Sequence, residues 1–317
     1  MGTTLFSPQT VMTTGSHSRF NPLYIGRFAP SPSGPLHFGS LVSALASYLD
    51  AKANHGKWLV RMEDIDPPRE MEGAADTILQ QLQQHGLHWD DEVLYQSQRS
   101  KAYLAIIEQL QQSGSIYPCQ CSRQQLKDQG GIHTNPCQQH NPSAPSALRL
   151  SISSNSQIKF DDLFQGSQQQ DIQCEVGDML LYRKEGLFAY QLAVVIDDAF
   201  QQITHVIRGS DLLDSTPRQI YLQQILKLPT PYYGHIPVAI HKEGGKLSKQ
   251  NLALPIDNHI APENLAAAIH WLGLPLPERL LRPTKSPLSQ CDELLAWATE
   301  HWQREQIPAV MEKLASS

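Results

Sequence analysis

The sequence predicts an α/β fold: a parallel sheet with its ligand site beyond the carboxyl ends of the strands, a metal-binding insertion, and a short helical C-terminal portion. Three observations predict it. A strand–helix–strand pattern opens after Pro22. Three cysteines and a histidine crowd into a stretch rich in Gly, Pro and Gln, and a basic glycine-containing loop follows the last strand pattern.

Leu23 to Phe28 (LYIGRF) is a short apolar run between Pro22 and the turn-rich APSPSGP, which reads as a strand ending in a loop. Leu41, Ala44, Leu45, Tyr48 and Leu49 then recur at helical spacing. Ser40 or the residues just before it can cap that helix, and Asn54-His55-Gly56 ends it. Lys57 to Met62 (KWLVRM) is a second strand, so the unit is βαβ and the sheet parallel. Helical patterns follow near Met71 to His85 and Gln98 to Gln112. From Ser115 to about Leu150 the periodicity breaks, as expected of an insertion held by something other than a core. Ser151 to Gln173 is polar and should form loops and short strands. Regular alternation resumes with Leu192 to Ile196, Thr204 to Ile207, a helix near Thr216 to Leu226 and a strand at Ile236 to Ile240. From Ala261, short helices are expected around Leu265, Ile269, Trp271 and Leu272, then Leu294, Trp297, Trp302, Val310 and Met311. The expected divisions are a flexible leader (1–20), two halves of a catalytic domain (21–114 and 186–254), the insertion between them (115–185) and the helical portion (255–317).

Composition narrows the classes. With 317 residues, 40% apolar and 18% charged, the chain reads as an ordinary globular protein of one large domain or two moderate ones. No stretch approaches the ~20 apolar residues that span a bilayer, and the N-terminus lacks a secretory core, so no membrane partner and a cytoplasmic location are expected. The net charge of −6 argues against wholesale coating of nucleic acid. A local patch remains open, because six basic residues between His205 and Gln250 (Arg208, Arg218, Lys227, Lys242, Lys246, Lys249) face only three acids (Asp211, Asp214, Glu243). Five cysteines in such a chain are not a disulfide framework; Cys174 and Cys291 should be buried thiols.

Chemistry concentrates at three places. In Pro30 to Ser40 (PSPSGPLHFGS), His37 and Gly39 sit where a loop passes into a helix, a start that favours phosphate. It is neither a Walker loop nor G-x-G-x-x-G, and a Pro/Gly turn with an incidental histidine would look similar. Gly244 to Asn251 (GGKLSKQN) carries Lys246 and Lys249 on a glycine loop, a suitable clamp for a phosphorus centre gaining negative charge. Cys119, Cys121, His133 and Cys137 form C-x-C-x₁₁-H-x₃-C, three thiolates and an imidazole that satisfy tetrahedral Zn²⁺ with no open position, hence a structural site. Tyr117 and His140 are rival ligands.

Taken together, His37-Phe38-Gly39-Ser40 and Lys246-Leu247-Ser248-Lys249-Gln250 resemble the two signatures of the class I aminoacyl-tRNA synthetases. Three further strings resemble the glutamate branch of that family: RFAPSPSGPLHFG (Arg27 to Gly39), RMEDIDPPR (Arg61 to Arg69) and AYQLAVVIDDAFQQITHVIRGSDLLDSTPRQ (Ala189 to Gln219). They cover the chain from about Tyr24 to Asn251. The signatures depart from the family's pattern at Ser40 and Gln250, where a histidine and a serine are usual.

The resemblance implies a Rossmann-type parallel sheet with a zinc-binding insertion and no anticodon-binding domain; a monomer is expected. It implies that ATP, brought with Mg²⁺, is bound by His37, Gly39, Ser40, Lys246 and Lys249, with His37 and Lys249 catalytic. L-glutamate would contact Arg27, Phe28, Ala29, Pro30, Ser31, Glu63, Tyr190 and Arg208: arginine forks for the side-chain carboxylate, Glu63 for the ammonium, Ser31 and Tyr190 for neutral hydrogen bonds. The zinc-binding insertion of related enzymes sometimes uses tyrosine as fourth ligand. The short architecture, the C-x-C insertion and HFGS resemble members of the branch that esterify glutamate onto the queuosine base of the tRNA(Asp) anticodon stem-loop. The alternatives are a truncated glutamyl-tRNA synthetase charging an ordinary 3′ end, and an inactive zinc- and RNA-binding module.

Overall fold

A computed structural model of the chain describes residues 23–128, 130–133, 144–154, 156–240, 254–282 and 286–315. The opening unit is as expected: β1 (Ile25–Phe28), α1 (Phe38–Ala53) and β2 (Lys57–Met62), with β1 and β2 parallel and Arg27 opposite Leu59. After α2 (Ala74–Gln84), β3 (Leu94–Tyr95) joins β2 in parallel, and α3 (Ser100–Gln112) follows. The insertion holds β4 (Ile116–Cys119), the short helix α4 (Arg123–Asp128), β5 (Ala147–Leu150), a hairpin of β6 (Gln157–Asp162) and β7 (Gly166–Asp171), the single turn α5 (Ile172–Glu175) and β8 (Met179–Tyr182). Strands β4, β5 and β8 make a small antiparallel sheet.

The chain then returns through α6 (Tyr190–Phe200), β9 (His205–Gly209), α7 (Thr216–Leu226) and β10 (Tyr232–Ile236), with β9 and β10 parallel. Thr204 ties β9 beside β1: its N–H donates to the Ile25 carbonyl at 2.9 Å, and its hydroxyl accepts from the Ile25 N–H at 2.9 Å. Finally come β11 (Val238–Ile240), α8 (Ala261–Trp271), α9 (Pro287–Glu300) and β12 (Glu312–Leu314), which pairs in parallel with β11.

Alternate strand residues enter two separate cores, as the period of two requires. Trp58, Val60, Ile207 and Ile236 pack with Leu45, Leu265, Trp271 and Leu294 under α1, α8 and α9. Leu59, Val206 and Tyr233 pack on the other face with Tyr103, Ile107, Val194 and Leu222 of α3, α6 and α7. Truncating a fully buried member such as Leu45 to alanine would cost about 2–5 kcal/mol.

Five expectations need correction. Leu192 to Ile196 lies inside a helix buried nearly all round, where a short apolar run carries no distinguishing period. The run Ile236 to Ile240 is not one strand, because Pro237 divides it into β10 and β11. Met311 and Val310 are not helical: the Val238 N–H donates to the Met311 carbonyl at 3.0 Å beside the β11–β12 pair. The insertion is partly cored, since Ile116 and Leu150 are buried among the residues of α3 and α6. Cys291 is buried as expected but Cys174 is exposed, on a single turn whose N-terminus is capped by Asp171.

Candidate active site and metal centre

The βαβ unit delivers its turn to a cleft of about 750 Å³ at the carboxyl ends of β1, β2 and β9. Arg27, Phe28, Ala29, Pro30, Ser31, His37, Gly39, Ser40, Glu63, Tyr190 and Arg208, separated by up to 181 residues of chain, all line it. Such a place is where a parallel sheet leaves unsatisfied strand ends and helix starts facing one another.

His37 is the N-cap of α1, an assignment the sequence had left between Ser40 and its predecessors. The Ser40 N–H donates to His37 Nδ1 at 3.3 Å, and the His37 N–H donates to the Ser40 hydroxyl at 2.8 Å, a reciprocal capping box. With Nδ1 accepting, the ring proton of the neutral imidazole sits on Nε2, as a donor. Ser40 thus has a local duty at the third helical position, which accounts for a short hydroxyl side chain there.

Charge in the floor of the cleft is organised by Asp198 of α6. It accepts from Arg27 twice, at 3.2 Å from Nε and 3.3 Å from Nη2, and pairs with Arg61 Nη1 at 2.8 Å. Burial alone would raise the Asp198 carboxyl; the two guanidiniums outweigh it and hold it below its ordinary value. Arg61 also reaches Glu63 at 3.5 Å. For Glu63 burial wins, and its carboxyl is raised despite Arg61 and Arg27. A carboxylate so poorly compensated gains most from an added cation.

Arg208, on β9, is held on nearly every side. Its Nε–H donates to His235 Nε2 at 2.9 Å, Nη2 to the Thr216 hydroxyl at 2.7 Å and the Leu212 carbonyl at 3.3 Å, and Nη1 to the Tyr190 hydroxyl at 3.3 Å. Among the described residues no carboxylate makes an ion pair with it. The fork geometry expected of both arginines is therefore already spent: Arg27's on Asp198 and Arg208's on His235 and Thr216. What each offers the cleft is charge and its Nη1 edge.

Sequence reasoning missed these supports. Asp198 and Arg61 lay within matched strings without an assigned duty, and Asp162 and His235 lie 73 residues apart with no local pattern linking them. Arg69 also lines the cleft, with its Nε 2.5 Å from Asp66, which in turn receives Arg183 at 3.2 Å. Lys246 and Lys249 lie outside the described residues. Their flanks do not: Val238 and Ala239 line the cleft, and Pro255 forms a β-bridge with His37.

The second centre is in the insertion. Cys119 Sγ lies 3.7 Å and Cys121 Sγ 3.6 Å from His133 Nε2, and the three atoms fall within 4.8 Å of one another. Zinc bonds of ~2.3 Å to sulfur and ~2.0–2.1 Å to nitrogen at tetrahedral angles put the two roughly 3.6 Å apart, so the set fits. On the other ring nitrogen, His133 Nδ1 lies 2.8 Å from the Tyr117 hydroxyl, which donates to Asp178 at 2.5 Å. That arrangement fixes the tautomer with the Nε2 lone pair toward the thiols. In this geometry the Tyr117 hydroxyl sits on the ring nitrogen that faces away from the thiols. Cys137 and His140 lie outside the described residues.

Comparison with known proteins decides the family. The catalytic-domain family of class I tRNA synthetases (E and Q) matches residues 25–269. The chain belongs to that family. A glutamyl-Q tRNA(Asp) synthetase of Pseudomonas putida is 47% identical over 301 residues, 95% of this chain and 96% of that protein. One of Vibrio vulnificus is 47% identical over 289 residues, 91% of this chain and 93% of that protein. The fold is shared with a glutamate tRNA ligase from Elizabethkingia meningosepticum at TM-score 0.74 and 22% identity, over 92% of this chain and 67% of that one. Class I membership brings ATP with Mg²⁺, an amino acid and tRNA as the partners of the synthetase cleft. No helix among the described residues is long and apolar enough to cross a membrane.

Proposed function

We propose that the enzyme activates L-glutamate with ATP and transfers the glutamyl group to the queuosine base at the wobble position of tRNA(Asp). The observation that carries the first half is the cleft: one cavity joins a helix start, a raised carboxyl and a buried guanidinium with no carboxylate ion pair among the described residues. The acceptor is supported by the relatives of that name, matched over nearly their whole length.

In this reading the side-chain carboxylate of glutamate meets Arg208 and Tyr190, and its ammonium meets Glu63. Arg27 and Ser31 border the α-carboxylate, which attacks the α-phosphorus of ATP in line. The bond to pyrophosphate breaks as the acyl–phosphate bond forms, and Mg²⁺-pyrophosphate leaves. His37 through Nε2–H, the start of α1 at Gly39 and Ser40, and Lys246 and Lys249 offset the charge building on the phosphates. A queuosine ring hydroxyl then attacks the mixed anhydride, giving the ester and AMP. Cys119, Cys121 and His133, with Cys137 as fourth ligand, would hold Zn²⁺, whose contribution is to brace the insertion.

The test is where labelled glutamate ends up. Charging of tRNA from ordinary cells, lost with tRNA from cells unable to make queuosine, is the expected outcome. Label on the 3′ end of either tRNA would instead make the chain a glutamyl-tRNA synthetase of the ordinary kind.

A further inference from the structure

Arg208 has five N–H groups, and four meet protein acceptors: His235, Thr216, Leu212 and Tyr190. The fifth, on Nη1, is what remains for a ligand in the cleft. The arginine is 5% exposed, and His235 and Thr216 are not exposed at all. A buried guanidinium without an anion is costly, so its orientation decides what may relieve it.

Behind it runs a chain of buried groups. His235 accepts from Arg208 on Nε2 and donates from Nδ1 to Asp162 at 2.5 Å. Asp162, on the hairpin of the insertion, also accepts the backbone N–H groups of His235, Phe164 and Gln165, each at 3.0 Å. The ring is thus fixed in one tautomer and one plane. Flipping it would leave Arg208 Nε and Asp162 each facing a ring carbon, and the other tautomer would set an N–H against Arg208 Nε and a lone pair against Asp162.

We propose that His235, oriented by Asp162, is a positioning residue that aims the one remaining Nη1–H of Arg208, alongside the Tyr190 hydroxyl, at the anionic end of the substrate side chain, and so sets the preference for glutamate over glutamine. This rests on the function proposed above. Two parallel donors, one cationic, suit a carboxylate. A neutral carboxamide gives back no charge to the guanidinium and turns an N–H₂ toward donors. The aim also links the insertion to substrate choice, since Asp162 sits on β6 and Arg208 on β9.

Two substitutions separate the roles of the ring nitrogens. His235→Asn keeps a donor near the Nδ1 position for Asp162 and loses the acceptor for Arg208. His235→Gln places an amide oxygen near the Nε2 position and keeps that acceptor. Calorimetric glutamate binding, and KM and kcat from ATP–pyrophosphate exchange, are the readouts. His235→Asn is expected to raise the glutamate Kd and KM roughly tenfold or more, the scale of one hydrogen bond to a charged group. It should lower the glutamate-to-glutamine ratio and leave the ATP KM and kcat within about threefold, with His235→Gln recovering most of the loss. If His235→Asn does not fold, Thr216→Val removes another Arg208 acceptor at nearly constant shape and is expected to produce the same split, smaller in size. Equal damage by the asparagine and glutamine variants, or parallel rises in the glutamate and ATP KM, would overturn the proposal. Wild-type protein that binds no glutamate would instead overturn the function it rests on.

Discussion

In the cleft, three buried guanidiniums, Arg27, Arg61 and Arg208, are set against two nearby carboxylates, Asp198 and Glu63. In the knot of the insertion, two thiols and an imidazole converge, with Arg149 Nε 3.3 Å from Cys119 Sγ. Arg208 is the one of the three arginines that makes no ion pair with a carboxylate among the described residues, which suits the cleft to an anion. The knot gathers lone pairs, a set that fits a cation. Their supports differ too: the cleft's arginines are mounted on parallel strands cored on both faces, while the described residues between β4 and β5 add no member to either core. One site is preorganised by packing, and in the proposed reading the other would be braced by its metal.

The sharpest way to break this contrast is to remove the carboxylate shared by two arginines. Asp198→Asn leaves Arg27 and Arg61 buried without their common partner and should lower stability by about 3–5 kcal/mol, read from urea unfolding. An unchanged midpoint would mean that the cleft's charges are not balanced through Asp198. Next in size, Lys249→Ala is expected to keep glutamate affinity while cutting ATP–pyrophosphate exchange roughly 10²-fold. Undiminished exchange would remove the lysine from the mechanism. On the other side of the comparison, the purified chain should carry about one zinc. A chelator should open residues 115–150 to protease while calorimetric glutamate binding persists. A proteolytic pattern that ignores the chelator would show that the knot holds without metal. Smallest, Ser40→Ala removes half of the capping box and should cost about 1 kcal/mol by thermal unfolding. A loss far beyond that would place Ser40 in more than the cap.

Much of the cleft could be read before the fold was seen, because its residues sit in local strings: Arg27 in RFAPSPSG, Glu63 in RMEDIDPPR, and Tyr190 and Arg208 in one continuous stretch. Local strings report where a backbone turns or a strand ends, and those places gather side chains. Their partners were not legible. Asp198 reaches Arg27 across 171 residues and His235 reaches Asp162 across 73, through packing that no window of sequence encodes. The same limit explains α6, whose uniformly buried Leu192 to Ile196 has no polar face to betray its period. It explains β12 as well, a three-residue strand that exists because β11 lies beside it. Within the knot, the spacing gave Cys119, Cys121 and His133 but left Tyr117 as a rival. The position of its hydroxyl, on the ring nitrogen away from the thiols, was not legible in the spacing.

Strand β12 has a reach out of proportion to its length. It lies against β11, and Ile240, where β11 ends, is the last described residue before the segment that carries both lysines. Arg304, a few residues ahead of β12, grips Asp50 of α1 at 2.7 and 2.9 Å, so the tail is moored to the helix that His37 caps. A cut before Glu312 therefore strips the partner strand from Val238 and Ala239, two residues that line the cleft, and loosens its wall from behind, along the sheet.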